Sequence, residues 1–253
     1  MRSVKIKEVI DALERFAPLP LQEEYDNAGL QVGLTEAEVS GALLCLDVTE
    51  RVVDEAITKG CNLIVAHHPL IFRKLSQVTD ANYVQRTVIK AIKNDIVIVA
   101  MHTNLDAAFG GVNFKIAEKL RLRDVRFFGR EKVVTNPLTD KKVTGGDGVI
   151  GCFDTPLAAD DLILLLKKEF DVECVQANEL LRRDIRTVAL CGGSGSFLLQ
   201  DAINAGADAF ITGEMGYHEF FGHEQEIQLC VIGHYQSEQY TTEVLRDVIE
   251  RDC

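Results

Sequence analysis

The sequence lacks any uninterrupted hydrophobic run long enough to cross a membrane as a helix. The N-terminal segment from Met1 to Phe16 alternates charged and apolar residues, and it has neither the apolar core nor the small-residue cleavage site of a signal peptide. With 47% hydrophobic and 26% charged residues, the composition is ordinary for a globular protein. We therefore expect a soluble protein of the cytoplasm with no membrane segment.

The sequence also lacks the cysteine pattern of a disulfide framework. Its seven cysteines are an odd number and form no Cys-x-x-Cys motif. Most of them lie inside apolar, strand-like runs, as reduced core thiols do. We therefore expect free thiols. The cysteines are at positions 45, 61, 152, 174, 191, 230 and 253.

An excess of positive charge is absent as well. The net charge of −12 repels phosphate backbones, and nucleic-acid binders usually carry a basic patch large enough to offset such a charge. One small basic cluster lies near the predicted domain junction, where a solvated helix end or an interface explains it better than nucleic acid. Nucleic acid is therefore only a minor alternative. The cluster comprises Arg121, Arg123, Arg126, Arg130 and Lys132.

The order of apolar patterns predicts an α/β fold. Apolar residues at helical spacing predict a helix from Ile6 to Phe16, which Pro18 and Pro20 end. Short apolar runs then alternate with amphipathic stretches, which favours a substantially parallel sheet. The segment from Thr135 to Gly148 is rich in Gly, Asp, Lys and Thr, and we interpret it as a hairpin or loop just inside a second domain. The predicted strands are 42–46, 62–66 and 95–101, and the predicted helices are 50–59, 82–93 and 112–120.

The length of 253 residues allows two modest domains. An internal match supports two related ones. An offset of 146 residues takes Gly60 to Gly206, Leu44-Cys45 to Leu190-Cys191, and 63–65 to 209–211. Both copies have the predicted order strand, helix, glycine C-cap and strand, although two generic βαβ units would also give some similarity by chance. We predict two related α/β domains with mixed, largely parallel sheets, the first formed by 1–126 plus 228–253 and the second by 127–227.

The adjacent residues His67 and His68 are the most informative pair in the chain. They follow the apolar run Leu63 to Ala66 and precede Pro69. Neighbouring side chains on an extended segment point to opposite faces, so two adjacent histidines suit two ions better than one. Two bulky polar groups on an apolar strand are costly to bury without such a partner. We therefore predict that each histidine binds one ion of a pair.

Other candidate ligands also follow predicted strands. His102 and Asp106 come after the strand at 95–101, and His234 and Glu238 come after an apolar run ending at Ile232. The spacing of four places His234 and Glu238 on one face of a helix. Nitrogen and oxygen donors without thiolates suit Zn, Mn, Fe or Co, and paired ions recur in hydrolases that activate water.

Each feature also has a structural explanation. A single histidine at a strand end is more often a hydrogen-bonded structural residue than a ligand, and for His102 the structural and functional interpretations carry equal weight. His234 with Glu238 would suit an ordinary exposed helix. The glycine-rich segment 192–196 resembles an anion-binding loop, but by itself it is weak support for phosphate binding. We interpret it as a candidate substrate contact. The conjunction of the motifs is what favours a metal site.

Together these motifs resemble the family of dinuclear-metal proteins called NIF-three-like (NGG-interacting factor) proteins or type 2 GTP cyclohydrolase I homologues. The resemblance spans nearly the whole chain. It implies that His67, His68, Asp106, His234 and Glu238 are metal ligands, with Glu238 as a bridge, in a site between two α/β domains. It also implies a ring-like homohexamer. The landmarks are Tyr25-Asp26-Asn27-Ala28-Gly29-Leu30-Gln31-Val32-Gly33, Ala66-His67-His68-Pro69-Leu70, His102-Thr103-Asn104-Leu105-Asp106, Thr212-Gly213-Glu214, His218, and Gly233-His234-Tyr235-Gln236-Ser237-Glu238.

Some positions depart from the family pattern. Many relatives carry Asp where Glu214 stands and Trp where Tyr25 stands, and their glycine loop often ends in an acidic residue where this chain has Ser196. Substrate contacts at the loop are therefore in doubt. The five implied ligands are intact.

The leading hypothesis is a hydrolase with two divalent metal ions per chain, in which His102 or His218 transfers a proton. The family label implies a nucleotide-like substrate, although basic residues suited to a triphosphate are not evident near the motifs. The alternative is a non-catalytic metal-binding module that regulates or binds another protein.

Overall fold

The structure is a computed structural model, and it describes residues 3–253. The first two residues of the segment Met1 to Phe16 lie outside the described residues. Among the helices formed by the described residues, none has the length and apolar character required to cross a membrane. All seven cysteines are free thiols.

The described residues form ten strands and nine α-helices. The strands are β1 (Gly29–Val32), β2 (Ala42–Cys45), β3 (Leu63–Ala66), β4 (Val97–Ala100), β5 (Arg123–Thr135), β6 (Lys142–Leu157), β7 (Gln176–Ala177), β8 (Ile185–Cys191), β9 (Ala209–Thr212) and β10 (Gln228–Val231). The helices are α1 (Ile6–Phe16), α2 (Glu50–Lys59), α3 (Tyr83–Lys93), α4 (Thr103–Asp106), α5 (Val112–Lys119), α6 (Ala159–Glu169), α7 (Leu199–Asn204), α8 (His234–Glu238) and α9 (Thr241–Asp252).

The predicted α/β class is confirmed, and the predicted elements lie within a few residues of the observed ones. Helix α1 buries Ile6, Val9, Ile10 and Leu13, which are four of the apolar positions that predicted it. The segment predicted as a hairpin or loop contains the turn at 136–141 that joins the neighbouring strands β5 and β6, and these strands extend well beyond the segment on either side. Strand length there follows from pairing, which local composition does not reveal.

The first unit is built on a four-stranded sheet in the order β1-β4-β3-β2. Strands β2, β3 and β4 are parallel, whereas β1 is antiparallel to β4. All residues of β3 and β4 are buried, as expected for central parallel strands. Helix α9 packs against α1 and β2, and α2 packs against α3. The carboxyl ends of three parallel strands therefore meet at one edge of the sheet.

The second unit is built on a six-stranded sheet in the order β5-β6-β8-β9-β10-β7. Strands β8, β9 and β10 are parallel, and antiparallel strands flank them, with β6 beside β8 and β7 beside β10. Helix α5 packs against β8 and against α8. A buried cluster that includes Phe210, Leu199 and Ile227 fills one side of this sheet.

The two units repeat one pattern, in agreement with the offset of 146 residues. In the first unit Ala42 pairs with Leu63, and in the second Val188 pairs with Ala209, which are the same positions after the offset. Each unit has three parallel strands with an antiparallel strand at the outer side of the third. The glycines after α2 and α7 both have left-handed backbone, with φ of 69° and 72°.

The boundaries of the two units differ from the predicted ones, which placed 1–126 plus 228–253 in the first domain and 127–227 in the second. The first unit runs to Ala108 and includes Val134–Val143 and Thr241–Cys253, and the second comprises Phe109–Val133 and Thr144–Tyr240. At the C-terminal end the reason is that β10 hydrogen-bonds to β9, so that of the segment 228–253 only the part with α9 belongs to the first unit. Consequently His234 and Glu238 belong to the second unit.

Candidate metal centre

The histidine pair lies at the carboxyl edge of the first sheet. His67 and His68 directly follow β3, and their backbone N–H groups donate to the carbonyl oxygens of Cys45 and Leu46, at 3.1 and 2.9 Å. His102 follows the neighbouring strand β4 after one residue. Parallel strands that end together bring side chains from distant parts of the sequence to one edge. The structure therefore groups three histidines within the first unit.

Hydrogen bonds fix the orientation of His67 and His68. Nδ1 of His67 lies 2.8 Å from the carbonyl oxygen of Met101, and Nδ1 of His68 lies 2.9 Å from a carboxylate oxygen of Asp47. Both partners only accept hydrogen bonds, so in a neutral imidazole Nδ1 must be the donor and Nε2 must carry the lone pair. Metal-ligating histidines have this arrangement, in which a carbonyl or carboxylate holds the other ring nitrogen.

His102 is held in the same way by a buried carboxylate. Its Nδ1 lies 2.8 Å from Asp26, and the Asp26 carboxylate also accepts from the backbone N–H of Thr103 at 3.1 Å and from its hydroxyl at 2.5 Å. Burial would raise the pKa of Asp26, but hydrogen bonds from His102, Thr103 and Asn27 lower this pKa to about 2. Asp26 is therefore anionic and directs Nε2 of His102 away from itself.

These three histidines form what we call the histidine cluster: His67, His68 and His102. One ring nitrogen of each lies within 4.8 Å of the others. Helix α4 adds Asp106, since its first turn is closed by bonds from the Leu105 and Asp106 amides to the His102 carbonyl. Asp106 Oδ1 lies 3.6 Å from Nε2 of His67. The histidine cluster and Asp106 thus offer imidazole nitrogens and a carboxylate, a donor set that could hold a divalent ion.

The second unit carries the His234 cluster, which we define as His234, Glu238 and Glu214. Nδ1 of His234 lies 3.1 Å from Glu214, and its Nε2 lies 3.2 Å from Glu238 on the same helix, α8. Two donor atoms on one tetrahedral zinc ion are about 3.3 Å apart, given bonds of about 2.0 Å. The separation of Nε2 from the Glu238 oxygen therefore fits two ligands of one ion.

The charged groups of this cluster are supported by their surroundings. The Glu238 side chain is buried, whereas that of Glu214 is exposed. Glu214 accepts a hydrogen bond of 2.5 Å from the Ser194 hydroxyl. That bond, together with the charge of His234, lowers the pKa of Glu214. Glu214 is thus a carboxylate suited to hold Nδ1 of His234.

The glycine-rich segment 192–196 supports Glu238 by close packing. Gly193 has φ of 58°, and a Cβ atom added there would lie 2.3 Å from Glu238 Oε1. Three of the segment's amides already donate to side chains of the protein, which argues against their use for an anion. Gly192, Gly193 and Gly195 donate to Asn113 Oδ1, Ser237 Oγ and Thr212 Oγ1, at 2.9, 2.9 and 3.1 Å.

His218 lies in a different environment. It is exposed, on a 3-10 turn over Tyr217–Phe220. Its ring lies 5.2 Å from that of Tyr217 and 6.4 Å from that of Phe221, between ring centroids. Among the described residues, no acceptor forms a hydrogen bond with its ring, in contrast to His102.

Two residues that hold histidines of the candidate site were not singled out from the sequence. Asp47 follows Leu46 at the end of β2, so the rule that drew attention to the ends of the other strands would also have found it. Asp26 lies in a loop within the landmark that begins at Tyr25, and nothing local indicates its partner His102, which is 76 residues away. Only the folded chain brings these two residues together.

Comparisons with known proteins agree with this architecture. The model of a family described as Duf34/NIF3 (NGG1p interacting factor 3) matches residues 4–253. A Clostridium acetobutylicum protein named GTP cyclohydrolase 1 type 2 homolog is 32% identical over 251 residues, covering 98% of this chain and 90% of its own. A Clostridium perfringens protein of the same name is 35% identical over 237 residues, covering 93% and 87%.

Solved structures match as well. A hypothetical protein from Staphylococcus aureus has a TM-score of 0.87 at 27% identity, covering 99% of this chain and 94% of its own. A Bacillus cereus protein described as related to NIF3 has a TM-score of 0.85 at 25% identity, with the same coverage.

Proposed function

Because the chain belongs to the Duf34/NIF3 (NGG1p interacting factor 3) family, we propose that it is a metal-dependent hydrolase that binds two divalent ions per chain. The proposed ligands are His67, His68, Asp106, His234 and Glu238. One observation carries this proposal: each ligating histidine has Nδ1 held by an oxygen acceptor, so its Nε2 is the nitrogen available to an ion.

The donor set fits the proposal. It consists of imidazole nitrogens and carboxylate oxygens without sulfur, which suits Zn, Mn, Fe or Co. A bound divalent ion supplies Lewis acidity, which polarises a substrate oxygen and lowers the pKa of water. The carboxylates of Asp106 and Glu238 would balance the charge of the bound ions.

We further propose His102 as the residue that transfers a proton. Asp26 orients its ring and would stabilise the imidazolium form, while Nε2 accepts a proton from the attacking water. His218 is a second candidate, but its ring packs against exposed aromatic residues and lacks such an orienting carboxylate among the contacts of the described residues. A His102→Gln variant that keeps its metal but loses turnover would support this role, whereas one that loses metal would make His102 a ligand.

The names of the relatives indicate the first substrate class to test. Those reported above are named GTP cyclohydrolase 1 type 2 homolog, so a nucleotide-like substrate is the first to test. The alternative is a metal-binding module for protein interaction, and the words "NGG1p interacting factor 3" in the family description favour it. We also propose a homohexamer, which light scattering of the purified protein tests directly.

The decisive experiment compares wild type with Glu238→Ala and with Glu131→Ala, which removes an exposed carboxylate outside the candidate site. Bound metal is measured by mass spectrometry, and hydrolysis is measured on nucleotides, phosphoesters and cyclic amides. We expect metal-dependent turnover in wild type and Glu131→Ala, and loss of metal and turnover in Glu238→Ala. Two bound ions per wild-type chain with no hydrolysis across the panel would instead support the interaction module.

A further inference from the structure

Two exposed aromatic rings adjoin the histidine cluster. Tyr25 is 68% exposed and Phe72 is 44% exposed. Their ring centroids are 6.4 Å apart at an interplanar angle of 66°, and Phe72 lies 6.2 Å from the ring of His102 at 84°. A continuous series of ring contacts therefore runs from the surface of the first unit to the buried site. We call Tyr25 and Phe72 the aromatic wall.

Single exposed hydrophobic residues are common and need no explanation. The aromatic wall differs because hydrogen bonds tie together the two loops that carry it. Asn27 donates from its side-chain amide to the carbonyl of Ile71 at 2.6 Å. Gln31 accepts from the Ile71 N–H at 3.1 Å and donates to the Asn27 carbonyl at 2.6 Å. The two loops that carry the rings are thus held together by residues close to the rings in sequence.

The same loop is anchored to the candidate site. Asp26, which follows Tyr25, is bound to the ring of His102 and to the hydroxyl of Thr103. Thr103 in turn accepts a hydrogen bond of 2.9 Å from the backbone N–H of Glu23. The position of the wall relative to His102 is therefore fixed by bonds on both sides of Tyr25, as a preorganised binding surface requires.

Positive charge borders the wall. Arg73 and Lys74 directly follow Phe72 and are exposed. Neither side chain forms an ion pair within the described residues. In a chain with a net charge of −12, two adjacent cations without an acidic partner are complementary to an anionic group.

We propose that the aromatic wall binds the planar ring of a substrate that also carries an anionic group. Tyr25 and Phe72 contact the ring, and Arg73 and Lys74 attract the anion. This inference rests on the proposed function, because it assigns the substrate class of that site. It specifies residues that lie outside the metal ligands, so its test does not require turnover.

The test measures equilibrium binding by calorimetry with three probes: adenosine 5′-monophosphate, adenosine and ribose 5-phosphate. Wild type is expected to bind the three in that order of decreasing affinity. Base stacking on an aromatic side chain is lost on truncation to alanine, so Tyr25→Ala and Phe72→Ala should each weaken both adenine probes by about ten-fold or more. The double variant Arg73→Ala with Lys74→Ala should weaken only the monophosphate. Tyr83→Ala and Phe197→Ala, which remove other exposed rings, are the matched controls and should bind as wild type does.

Metal content and circular dichroism of every variant accompany the titrations. Unchanged metal and fold in Tyr25→Ala, with weakened adenine binding, supports the aromatic wall. Equal affinity of wild type for ribose 5-phosphate and the monophosphate would overturn it, as would unaltered adenine binding in Tyr25→Ala and Phe72→Ala. The proposed function would survive those results, since it fails only if the wild type binds no metal or if metal-loaded protein hydrolyses nothing.

Discussion

Replacing Gly193 by alanine is expected to displace the buried carboxylate of Glu238. The new Cβ atom would lie 2.3 Å from Glu238 Oε1, far inside van der Waals contact. The backbone at position 193 is held on both sides, because its N–H donates to Ser237 Oγ and its carbonyl accepts from Glu214 N, each at 2.9 Å. The Glu238 carboxylate must therefore move, which changes its separation of 3.2 Å from His234 Nε2.

The magnitude has two parts. The backbone φ of 58° at Gly193 costs an L-residue about 1–2 kcal/mol. Moving a buried carboxylate away from the imidazole beside it adds about 1–3 kcal/mol. We therefore expect Gly193→Ala to lower the free energy of unfolding by about 2–5 kcal/mol.

The assay is urea denaturation of Gly193→Ala beside Gly206→Ala, with bound metal measured in both. Gly206 also has positive φ, 72°, but nothing lies within 4 Å of the position its Cβ would take. It therefore reports the backbone cost alone. We expect Gly206→Ala to retain the metal content of wild type and Gly193→Ala to lose metal. Equal destabilisation of the two variants, with unchanged metal in Gly193→Ala, would refute the assignment of Glu238 as a ligand.

Three further changes test other parts of the structure. His68→Ala should lower the bound metal per chain, while its circular dichroism remains that of wild type because the His68 side chain is partly exposed. The control His223→Ala removes a histidine paired with Glu226 and should keep its metal. Asp208→Asn should cost about 1–2 kcal/mol at pH 7, measured by urea denaturation. Burial alone would raise the pKa of Asp208, but the amides of Thr187 and Arg186 and the side chain of Arg183 outweigh burial, so the folded-state pKa lies below the ordinary value of 3.8. The stabilisation is therefore present above pH 3.8 and is lost as the pH falls through the lower folded-state pKa. Wild type and Asp208→Asn should therefore converge in acid, and a difference that grows as the pH falls below 3.8 would contradict this account. Asn104→Ala should lower the free energy of unfolding by about 2–3 kcal/mol, since this buried amide donates to the Ala17 carbonyl at 2.7 Å and accepts from His102 N at 2.9 Å. The control Asn94→Ala, at an exposed position, should cost less than half as much in the same urea denaturation.

The regular elements were largely predictable because their causes are local. Helix α1 follows from apolar residues at helical spacing and ends before Pro18, and α2 ends at a glycine that adopts left-handed backbone. Strands predicted at 62–66 and 95–101 are observed at Leu63–Ala66 and Val97–Ala100. The division of the chain was less predictable, because an apolar run such as β10 can join either of two sheets.

The candidate site was predictable only at the level of residue types. His67 and His68 stood out because two adjacent imidazoles at the end of an apolar strand require a partner. The carboxylates that accept hydrogen bonds from the histidines did not stand out, since Asp47 is 21 residues from His68 and Asp26 is 76 residues from His102. The glycine segment resembled an anion-binding loop, although all three of its glycine amides donate to side chains distant in the sequence.

The amino-acid sequence by itself determined the α/β class, the internal repeat and the family resemblance, because periodicity, turn residues and motifs act over a few residues. Only the tertiary structure decided which acceptors hold Nδ1 of each histidine, which sheet receives β10, and that Gly193 packs against Glu238. Those contacts join residues far apart in the chain, and their geometry depends on how parallel strands bring their carboxyl ends to one edge.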